Sequence, residues 1–351
     1  MINTPFSPWP SFTDADAKAV SEVLLSNKVN YWTGQECRIF EKEFAQWTDS
    51  NYAVALANGS LALDLAFKAL SIGEGDEVIV TSRTFIASVS SIIIAGATPI
   101  FVDVEINSQN INPDLILSAI TTKTKAIVCV HLAGWPCEMD DIMKLAKKFN
   151  LFVVEDCSQA HGAKYKGRSV GSIGDIGCWS FCQDKIMTTG GEGGMVTTNN
   201  ESLWKKMWSY KDHGKSYEAV YEAEPSEKHS FKWLHDSFGT NFRMTEIQAV
   251  IGRLQLDKMP NWHTKRLSNL NKIWNVAKSC KALIVPIVPS YLEHAAYKCY
   301  VFVDQIQLKN NWDRDRIIRS INNFGVPCFS GTCSEVYLEK AFDETDFRPK
   351  E

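Results

Sequence analysis

The sequence predicts an α/β protein, with a large domain built on a mostly parallel β-sheet flanked by helices and a smaller C-terminal α+β domain. Short, continuous apolar runs indicate strands that are covered on both faces. Helical segments lie between several of these runs, which is the order of a parallel sheet with helices on either side. The length of 351 residues exceeds what one small core needs. The runs are AVALA (53–57), VIVT (78–81), PIFVDV (99–104), AIVCVH (126–131) and LFVVE (151–155).

Composition and charge exclude several classes of protein. Charged residues make up 22% of the chain and hydrophobic residues 45%, which is typical of a globular protein. The formal net charge of −4 comes without a basic stripe, so neither a nucleic acid nor an anionic membrane surface is expected as the main partner. No run approaches the roughly 20 apolar residues of a membrane span, and the N-terminus lacks a signal-peptide pattern. The ten cysteines lack metal-binding spacing, which predicts buried, reduced thiols, no bound metal and a cytoplasmic location.

Two helices are predicted ahead of the first strand. TDADAKAVSEVLLS (13–26) opens with a capping-type Thr or Asp before apolar residues at helical spacing. YWTGQECRIFEKEFAQW (31–47) predicts a glycine-containing loop and then an amphipathic helix that packs against the main domain. We therefore predict an N-terminal arm and helix over 1–30, a large domain over 31–255 and a small domain over 256–351.

The C-terminal part carries its own helices and strand. A long helix is predicted from Met244, broken near Pro260 and resumed beyond it. KCYVFVD (298–304) is predicted as a strand and WDRDRIIRSINNFG (312–325) as a helix. The side chains of this last helix that we expect to point inward are Ile317, Ile318 and Ile321.

A turn after the first strand is suited to an anion. Asn58, Gly59 and Ser60 lie between the strand AVALA and an almost entirely apolar helical segment, 61–70. Backbone N–H groups at the N-terminus of a helix form a binding site for phosphate. An ordinary Asn-Gly turn is the alternative interpretation.

A carboxylate and a lysine follow further along the predicted sheet. Asp156 comes directly after the strand LFVVE, at the edge where such sheets bind ligands, with a helix cap or a surface ion pair as the alternative. Lys185 follows 29 residues later, after the predicted strand 176–181. The glycine cluster over 190–194 comes next and lets the backbone approach a ligand closely. A single lysine is more often a solvated surface charge, so Lys185 gains weight only from the other two features.

These three features together are the parts needed to hold pyridoxal 5′-phosphate. The turn would take the phosphate, Asp156 the ring nitrogen and Lys185 the aldehyde. A nicotinamide-dependent oxidoreductase would need GxGxxG after the first strand, and 57–63 does not supply it. A different pyridoxal-phosphate enzyme, such as a lyase, and a catalytically silent binding protein stay as alternatives.

Several further segments extend the pattern from about Thr33 to about Asp257, with a looser continuation to the end. They are ANGSLAL (57–63), TSRTFIAS (81–88), GATPIFVDV (96–104), HLAGWP (131–136), VEDCSQAHGAKYKG (154–167), SFCQDKIMTTGGEGGMVTTN (180–199) and NFRMTEIQAVIGRLQL (241–256). On these segments the chain resembles the DegT/DnrJ/EryC1/StrS family of sugar aminotransferases. The resemblance implies the fold-type I (aspartate aminotransferase-like) architecture, pyridoxal 5′-phosphate as cofactor, and a homodimer.

The resemblance also implies roles for individual residues. Lys185 matches the catalytic lysine that carries the cofactor and moves the substrate proton. Asp156 matches the carboxylate that keeps the pyridine nitrogen protonated, and Gln159 matches the side chain beside the cofactor ring. Gly59 and Ser60 match the phosphate-binding turn.

Four more positions are carried over in the same way. Ser180 matches a residue that completes the phosphate site, and Phe85 the aromatic that stacks on the pyridine face, with a core phenylalanine as the alternative. Asn241 matches an asparagine that reaches the phosphate of the neighbouring subunit. His161 is a candidate accessory residue near the ring, with a hydrogen-bonded structural histidine as the alternative.

The substrate is predicted from the resemblance as a nucleotide-linked keto-sugar, with L-glutamate as amino donor. A lysine at position 185 disfavours the dehydratase branch of the family, in which histidine replaces it. The specific prediction is conversion of dTDP-4-keto-6-deoxy-D-glucose to dTDP-4-amino-4,6-dideoxy-D-glucose for surface polysaccharide, such as O-antigen. UDP- or GDP-linked 4-keto sugars and dTDP-linked 3-keto sugars are the alternatives.

The C-terminal region departs from the family pattern. GVPCFSGTCSEVYLEKAF (325–342) lacks the His-Tyr pair expected in the corresponding loop, so sugar and nucleotide contacts are not carried over there. The chain also ends at RPKE, sooner than the resemblance leads us to expect.

Overall fold

A seven-stranded sheet is the centre of the structure, a computed structural model that describes residues 6–222, 233–331 and 335–347. Two small sheets, of three and two strands, lie outside it. The strands of the described residues are β1 (Tyr52–Leu56), β2 (Glu77–Thr81), β3 (Thr98–Val102), β4 (Thr124–Val130), β5 (Phe152–Asp156), β6 (Lys164–Tyr165), β7 (Arg168–Ser169), β8 (Ile176–Ser180), β9 (Gly194–Thr198), β10 (Leu283–Ile284), β11 (Leu292–Glu293) and β12 (Phe302–Val303).

The large sheet is mostly parallel, which confirms the fold class predicted from continuous apolar runs. Its order is β1-β9-β8-β5-β4-β2-β3. β2 pairs in parallel with β3 and β4, β4 with β5, and β5 with β8. β9 alone runs antiparallel, between β8 and β1. β1 and β8 therefore point the same way, and their carboxyl ends lie on the same edge as that of β5.

Helices cover both faces of this sheet. β1 shows the two layers, because Val54 and Leu56 pack into the core under α3 and α7 while Ala53 and Ala55 pack into the core under α2 and α9. The helices of the described residues are α1 (Asp14–Leu25), α2 (Glu36–Trp47), α3 (Gly59–Ala69), α4 (Ala87–Ile94), α5 (Pro113–Ala119), α6 (Met139–Phe149), α7 (Glu201–Lys211), α8 (Tyr217–Tyr221), α9 (Glu246–Ala277) and α10 (Arg314–Asn323).

The N-terminal helix begins where its capping pattern predicts. The Thr13 side chain accepts from the Asp16 backbone N–H, and the Asp16 carboxylate accepts from the Thr13 backbone N–H at 2.8 Å. This reciprocal pair satisfies two N–H groups that the first turn leaves without helical partners. Asp16 also forms an ion pair with Lys258 at 2.9 Å, which attaches α1 to α9.

The predicted break in the long helix near Pro260 is wrong, because α9 runs through this residue. An interior proline costs about 3 kcal/mol, so contacts on both sides must offset it. Met259 is buried in the core under α9, and the His263 ring nitrogen Nε2 lies 2.9 Å from the His294 carbonyl oxygen. The predicted boundary between 255 and 256 falls inside this helix, and the division into domains stays a prediction.

The C-terminal elements are shorter than predicted. Within 298–304 only Phe302 and Val303 form a strand, which pairs with β10. The apolar face of α10 that is predicted to point inward is half-buried within the single chain, whereas most other residues of this helix are exposed. The residues of this face are Ile317, Ile318 and Ile321.

The described part of the chain contains no helix that is both long and apolar enough to cross a membrane. Nine cysteines are free thiols, and five of these are buried. The tenth, Cys333, lies outside the described residues.

Candidate active site

The predicted site residues gather along one edge of the sheet. Asp156 is the last residue of β5, and Ser180 is the last residue of the neighbouring β8. β1 ends at Leu56, and Gly59 begins α3 three residues later. Because ligands bind outside the carboxyl ends of parallel strands, this edge is the candidate active site.

Asp156 is held by a short chain of hydroxyl groups. Its Oδ2 accepts from the Ser88 hydroxyl at 2.7 Å, and Ser88 in turn lies 2.7 Å from the Thr84 hydroxyl. Its Oδ1 accepts from the Ser158 backbone N–H at 3.1 Å. Asp156 and Ser88 are buried, so the carboxylate has one orientation and keeps acceptor capacity for a protonated ring nitrogen.

The N-terminus of α3 forms a cradle against the end of β8. The Asn58 side chain caps the helix by accepting from the Leu61 N–H at 3.0 Å. The N–H groups of Gly59 and Ser60 also lie in the first turn, where a helix offers them no carbonyl partner. A Cβ atom on Gly59 would lie 2.5 Å from the Ser180 Cβ. Only glycine permits this approach, so the backbone can surround a phosphate at the positive end of the helix.

Lys185 lies in the loop after β8, with its side chain mostly shielded. Its amine nitrogen is 3.5 Å from the Asp184 carboxylate and 5.6 Å from the centre of the Tyr297 ring. The Tyr297 hydroxyl donates to Asp184 at 2.8 Å. Burial acts to raise the pKa of Asp184, but this hydrogen bond and the charge of Lys185 hold it below its ordinary value. An ionised carboxylate therefore positions the lysine amine.

Gln159 and Phe85 lie at the same edge in different environments. Gln159 is buried, and its Oε1 accepts from the Ala133 backbone N–H at 2.8 Å. Phe85 is 63% exposed, so it is not the core phenylalanine of the alternative interpretation. An exposed aromatic ring at the ligand edge is what a cofactor-stacking residue requires.

His161 lies deeper than a catalytic acid would. It is fully buried between the rings of Trp179 and Phe181, with centroids 5.3 and 5.7 Å away, and its nitrogens form no hydrogen bond of standard geometry. Burial lowers the pKa of His161 to about 3, and the charges of Lys185 and Arg266 act in the same direction. The imidazole is therefore neutral at neutral pH, and its accessory role stays a prediction.

Asn241 is exposed and lies beside the end of β1. The backbone N–H of Ala57 donates to the Phe242 carbonyl at 3.0 Å, and the Asn241 side chain accepts from the Arg243 N–H at 3.2 Å. Within the described chain, no hydrogen bond joins Asn241 to Gly59, Ser60 or Ser180. Its contact with a neighbouring subunit stays a prediction.

The structure adds residues that the sequence patterns did not single out. Ser88 and Thr84 lie inside the segment TSRTFIAS, so the family resemblance covers both residues without assigning them a role. Tyr297 carried no such signal, because it reaches Asp184 from 113 residues away. The indole N–H of Trp9 donates to the Lys185 carbonyl at 2.9 Å from 176 residues away.

A buried group beside the site has atoms of metal-ligand type but another function. His131, Glu155 and Cys157 bring such atoms within 4.8 Å of one another. The two Glu155 oxygens accept from His131 and from three backbone N–H groups over 171–174. Burial acts to raise the pKa of Glu155, but these hydrogen bonds hold it below its ordinary value. The carboxylate thus stabilises the loop between β7 and β8.

Fold and site together define a pyridoxal-phosphate-dependent transferase of fold type I. The DegT/DnrJ/EryC1/StrS aminotransferase family profile matches residues 10–348, and the chain belongs to this family. It is 42% identical to the GDP-perosamine synthase of Escherichia coli O157:H7 over 283 residues, 78% of this chain and 73% of the relative. It is 41% identical over 251 residues to the dTDP-3-amino-3,6-dideoxy-alpha-D-galactopyranose transaminase of Aneurinibacillus thermoaerophilus, covering 71% of this chain and 64% of the relative.

A solved structure is closer in sequence than either of these relatives. The X-ray structure of an aminotransferase from Psychrobacter cryohalolentis superposes with a TM-score of 0.96 at 64% identity, covering 99% of this chain and 89% of that one. The chain is thus a pyridoxal-phosphate-dependent aminotransferase from a family that acts on nucleotide sugars.

The residues present fit the cofactor. The cradle at Gly59 offers N–H donors for the phosphate, and Asp156 offers an oriented carboxylate for the ring nitrogen. When bound, pyridoxal 5′-phosphate supplies an electron-withdrawing ring that takes up an amino group and passes it on. Lys185 would supply the amine that holds the aldehyde and then carries a proton to and from the reacting carbon.

Proposed function

We propose that this aminotransferase transfers the amino group of L-glutamate to dTDP-4-keto-6-deoxy-D-glucose, giving dTDP-4-amino-4,6-dideoxy-D-glucose. Family membership and the lysine at position 185, beside Asp184 and Tyr297, support the transferase chemistry. The choice of nucleotide and of sugar carbon rests on the sequence resemblance. Surface polysaccharide, such as O-antigen, is the proposed destination of the product.

Two other acceptor classes are favoured by particular relatives. The Escherichia coli relative is named for a GDP-linked sugar, and the Aneurinibacillus relative is named for a dTDP-linked 3-amino sugar. GDP-linked 4-keto sugars and dTDP-linked 3-keto sugars are therefore alternative substrates, and UDP-linked 4-keto sugars stay an alternative from the sequence resemblance.

A screen of acceptors tests this proposal. The purified enzyme is supplied with glutamate and with dTDP-, UDP- and GDP-linked 4-keto and 3-keto sugars, and each product is identified by mass. We expect amination of the dTDP-linked 4-keto sugar with the highest kcat/KM and no product with Lys185→Ala. If another acceptor is aminated with a higher kcat/KM, that acceptor replaces the dTDP-linked sugar as the proposed substrate. If no acceptor is aminated, the proposed function is contradicted.

The proposed assembly is a homodimer with shared active sites. Asn241 is exposed, and within the described chain its side chain forms no hydrogen bond with the cofactor cradle. This supports the proposal that it acts in the active site of the partner subunit. We also retain the division into an arm (1–30), a large domain (31–255) and a small domain (256–351). A cytoplasmic location is part of the proposal, since free thiols persist in a reducing compartment.

A further inference from the structure

We propose that Arg83 binds an oxyanion of the substrate, either a carboxylate of the amino donor or the diphosphate of the nucleotide sugar. This inference rests on the proposed function, because it concerns how the same site recognises its substrates. Arg83 follows β2 in the segment TSRTFIAS and immediately precedes Thr84, the first hydroxyl of the chain that reaches Asp156.

The position of Arg83 is at the ligand edge. β2 is separated from β5 by β4 alone, so the spacing of neighbouring strands puts Arg83 roughly 10 Å from the strand that ends in Asp156. The guanidinium lies over the Tyr300 ring, 5.3 Å from its centre. Tyr300 belongs to the segment that also carries Tyr297, the partner of Asp184 beside Lys185. Arg83 and Lys185 therefore face the same segment.

The guanidinium is fixed but has no charged partner among the described residues. Its Nη1 donates to the Gln109 side-chain oxygen, which is neutral. Gln109 is held in a left-handed conformation, with φ of 64°, by hydrogen bonds to Glu105 and Ile106. Arginines that do form ion pairs with described residues include Arg243, Arg253 and Arg314, whereas no ion pair joins Arg83 to a described carboxylate.

The nearby acid of the facing strand is already engaged. Glu335 pairs with Arg83 through the backbone, in an isolated β-bridge. Its carboxylate accepts from the Tyr337 hydroxyl at 2.8 Å rather than from the guanidinium. The positive charge of Arg83 is therefore not neutralised by this neighbour.

The free edge of Arg83 has the geometry for an oxyanion. Nε is buried and makes no hydrogen bond, and Nη2 makes none with a described residue. Nε and Nη2 are the two parallel donors that bind a carboxylate or a phosphate side-on. Nη2 lies beside Gly331, where a Cβ atom would be 3.5 Å away, so Gly331 itself places no side chain against this nitrogen. A buried donor without a hydrogen-bond partner is unfavourable, and a bound oxyanion would supply that partner.

The surrounding charge favours an anionic ligand. Lys298 lies over the Tyr297 ring at 4.5 Å, in the same segment as Tyr300, whose ring faces Arg83. Two cationic side chains, those of Arg83 and Lys298, thus lie beside this segment in a chain of net charge −4. Gly331, which lies beside Arg83, belongs to the segment 325–342 that lacks the family's His-Tyr pair.

Binding of two unreactive probes to the cofactor-loaded enzyme tests the proposal. Glutarate represents the donor's carboxylates, and dTDP, UDP and GDP represent the diphosphate. Dissociation constants are measured by calorimetry for the wild type, Arg83→Gln and Arg83→Lys. Arg319→Gln, which removes an exposed positive charge from α10, is the matched control.

We expect Arg83→Gln to weaken binding of at least one probe roughly tenfold or more, as loss of a charge-assisted hydrogen bond requires. Arg83→Lys should recover only part of the lost affinity, because an ammonium group keeps the positive charge but cannot bind an oxyanion side-on. Weaker glutarate binding assigns the donor carboxylate, and weaker nucleotide binding assigns the diphosphate. Arg319→Gln should leave both dissociation constants unchanged.

Three results would overturn the assignment. These are unchanged binding of both probes by Arg83→Gln, binding of neither probe by the wild type, and loss of the cofactor's visible absorbance in both Arg83 variants, which would place Arg83 in cofactor binding. A wild type that binds a probe through Arg83 but aminates no keto-sugar would contradict the proposed function and leave this inference standing.

Discussion

Lys185 is positioned by its neighbour Asp184 and by residues from two distant parts of the chain. Trp9 donates to its carbonyl, Asp184 lies 3.5 Å from its amine, and Tyr297 holds Asp184. The Trp9 ring is itself fixed, 5.1 Å from Trp262 in an edge-on contact. A lysine side chain loses up to about 2 kcal/mol of rotamer freedom when it is ordered. These contacts remove that freedom before substrate binds, which favours proton transfer at a defined atom.

Replacing Trp9 with Phe should lower kcat without abolishing folding. The change keeps an aromatic ring against Trp262 but removes the hydrogen bond to Lys185, worth about 1 kcal/mol and hence roughly fivefold in rate. We expect the pH titration of the bound cofactor's visible absorbance to shift as well, which a purely structural role would not cause. Kinetics with glutamate and a keto-sugar measure the first effect, and spectrophotometric titration measures the second.

Trp312→Phe is the control for this prediction. Trp312 is 38% exposed, and Trp9 is 37% exposed, so the two changes remove similar surface. Equal kinetic effects of the two variants would show that Trp9 does not position Lys185.

At the scale of elements, the N-terminus of α3 is the part of the site with the least freedom to change. It lies against the ends of both β8 and β9, since a Cβ on Gly194 would come within 2.2 Å of the Asn58 carbonyl oxygen. The aligned peptide dipoles give the helix N-terminus about half a positive charge. Position and charge together suit the cofactor's phosphate.

Gly59→Ala should weaken cofactor binding. The added Cβ would lie 2.5 Å from the Ser180 Cβ and 3.0 Å from its Cα, so the helix must move away from β8. We expect a destabilisation of about 1–3 kcal/mol, as overpacking typically causes. Thermal unfolding measures this loss, and cofactor retained after dialysis, read by visible absorbance, measures the effect on the cradle.

Gly73→Ala is the matched control, because its added Cβ would meet nothing nearer than the Ala95 carbonyl oxygen at 3.6 Å. Both variants make the same chemical change, so only steric position separates them. Cofactor retention by Gly59→Ala equal to that of Gly73→Ala would argue against a phosphate cradle at this turn.

At the scale of the whole molecule, the proposed dimer makes each active site depend on two chains. Lys185 would come from one subunit and Asn241 from the other. In a symmetric dimer the same contact occurs twice, so one mixed dimer can test both contributions.

Mixing Lys185→Ala with Asn241→Ala should restore activity. A mixed dimer has one site with both residues intact, so random reassortment gives about a quarter of the wild-type sites. Asn241→Ala by itself should lose roughly tenfold in activity, as removal of a hydrogen bond to phosphate implies. The assay is transamination after dissociation and reassociation of the mixed subunits. Activity no higher than the mean of the two separate variants would mean that Asn241 serves its own chain.

Local signals carried most of the prediction of fold and site. Continuous apolar runs predicted β1 to β5 in place, because burial on both faces of a parallel strand excludes polar residues from it. Asp156 and Gly59 became candidates from local signals too, since Asp156 ends β5 and Gly59 begins the helix that follows β1. The capping pattern at Thr13 also predicted the start of α1, because capping depends on residues only three positions apart.

The sequence by itself therefore determined the sheet and the family, and it supplied the prediction of which residues would hold the cofactor. The tertiary structure decided that α9 continues through Pro260, that His161 is buried, and that Trp9 and Tyr297 contact Lys185 and its neighbour Asp184. Each of these outcomes depends on contacts between residues far apart in the chain, such as the 176 positions that separate Trp9 from Lys185. Periodicity and spacing report neighbours within a few residues, so contacts made by chain folding become visible only in three dimensions.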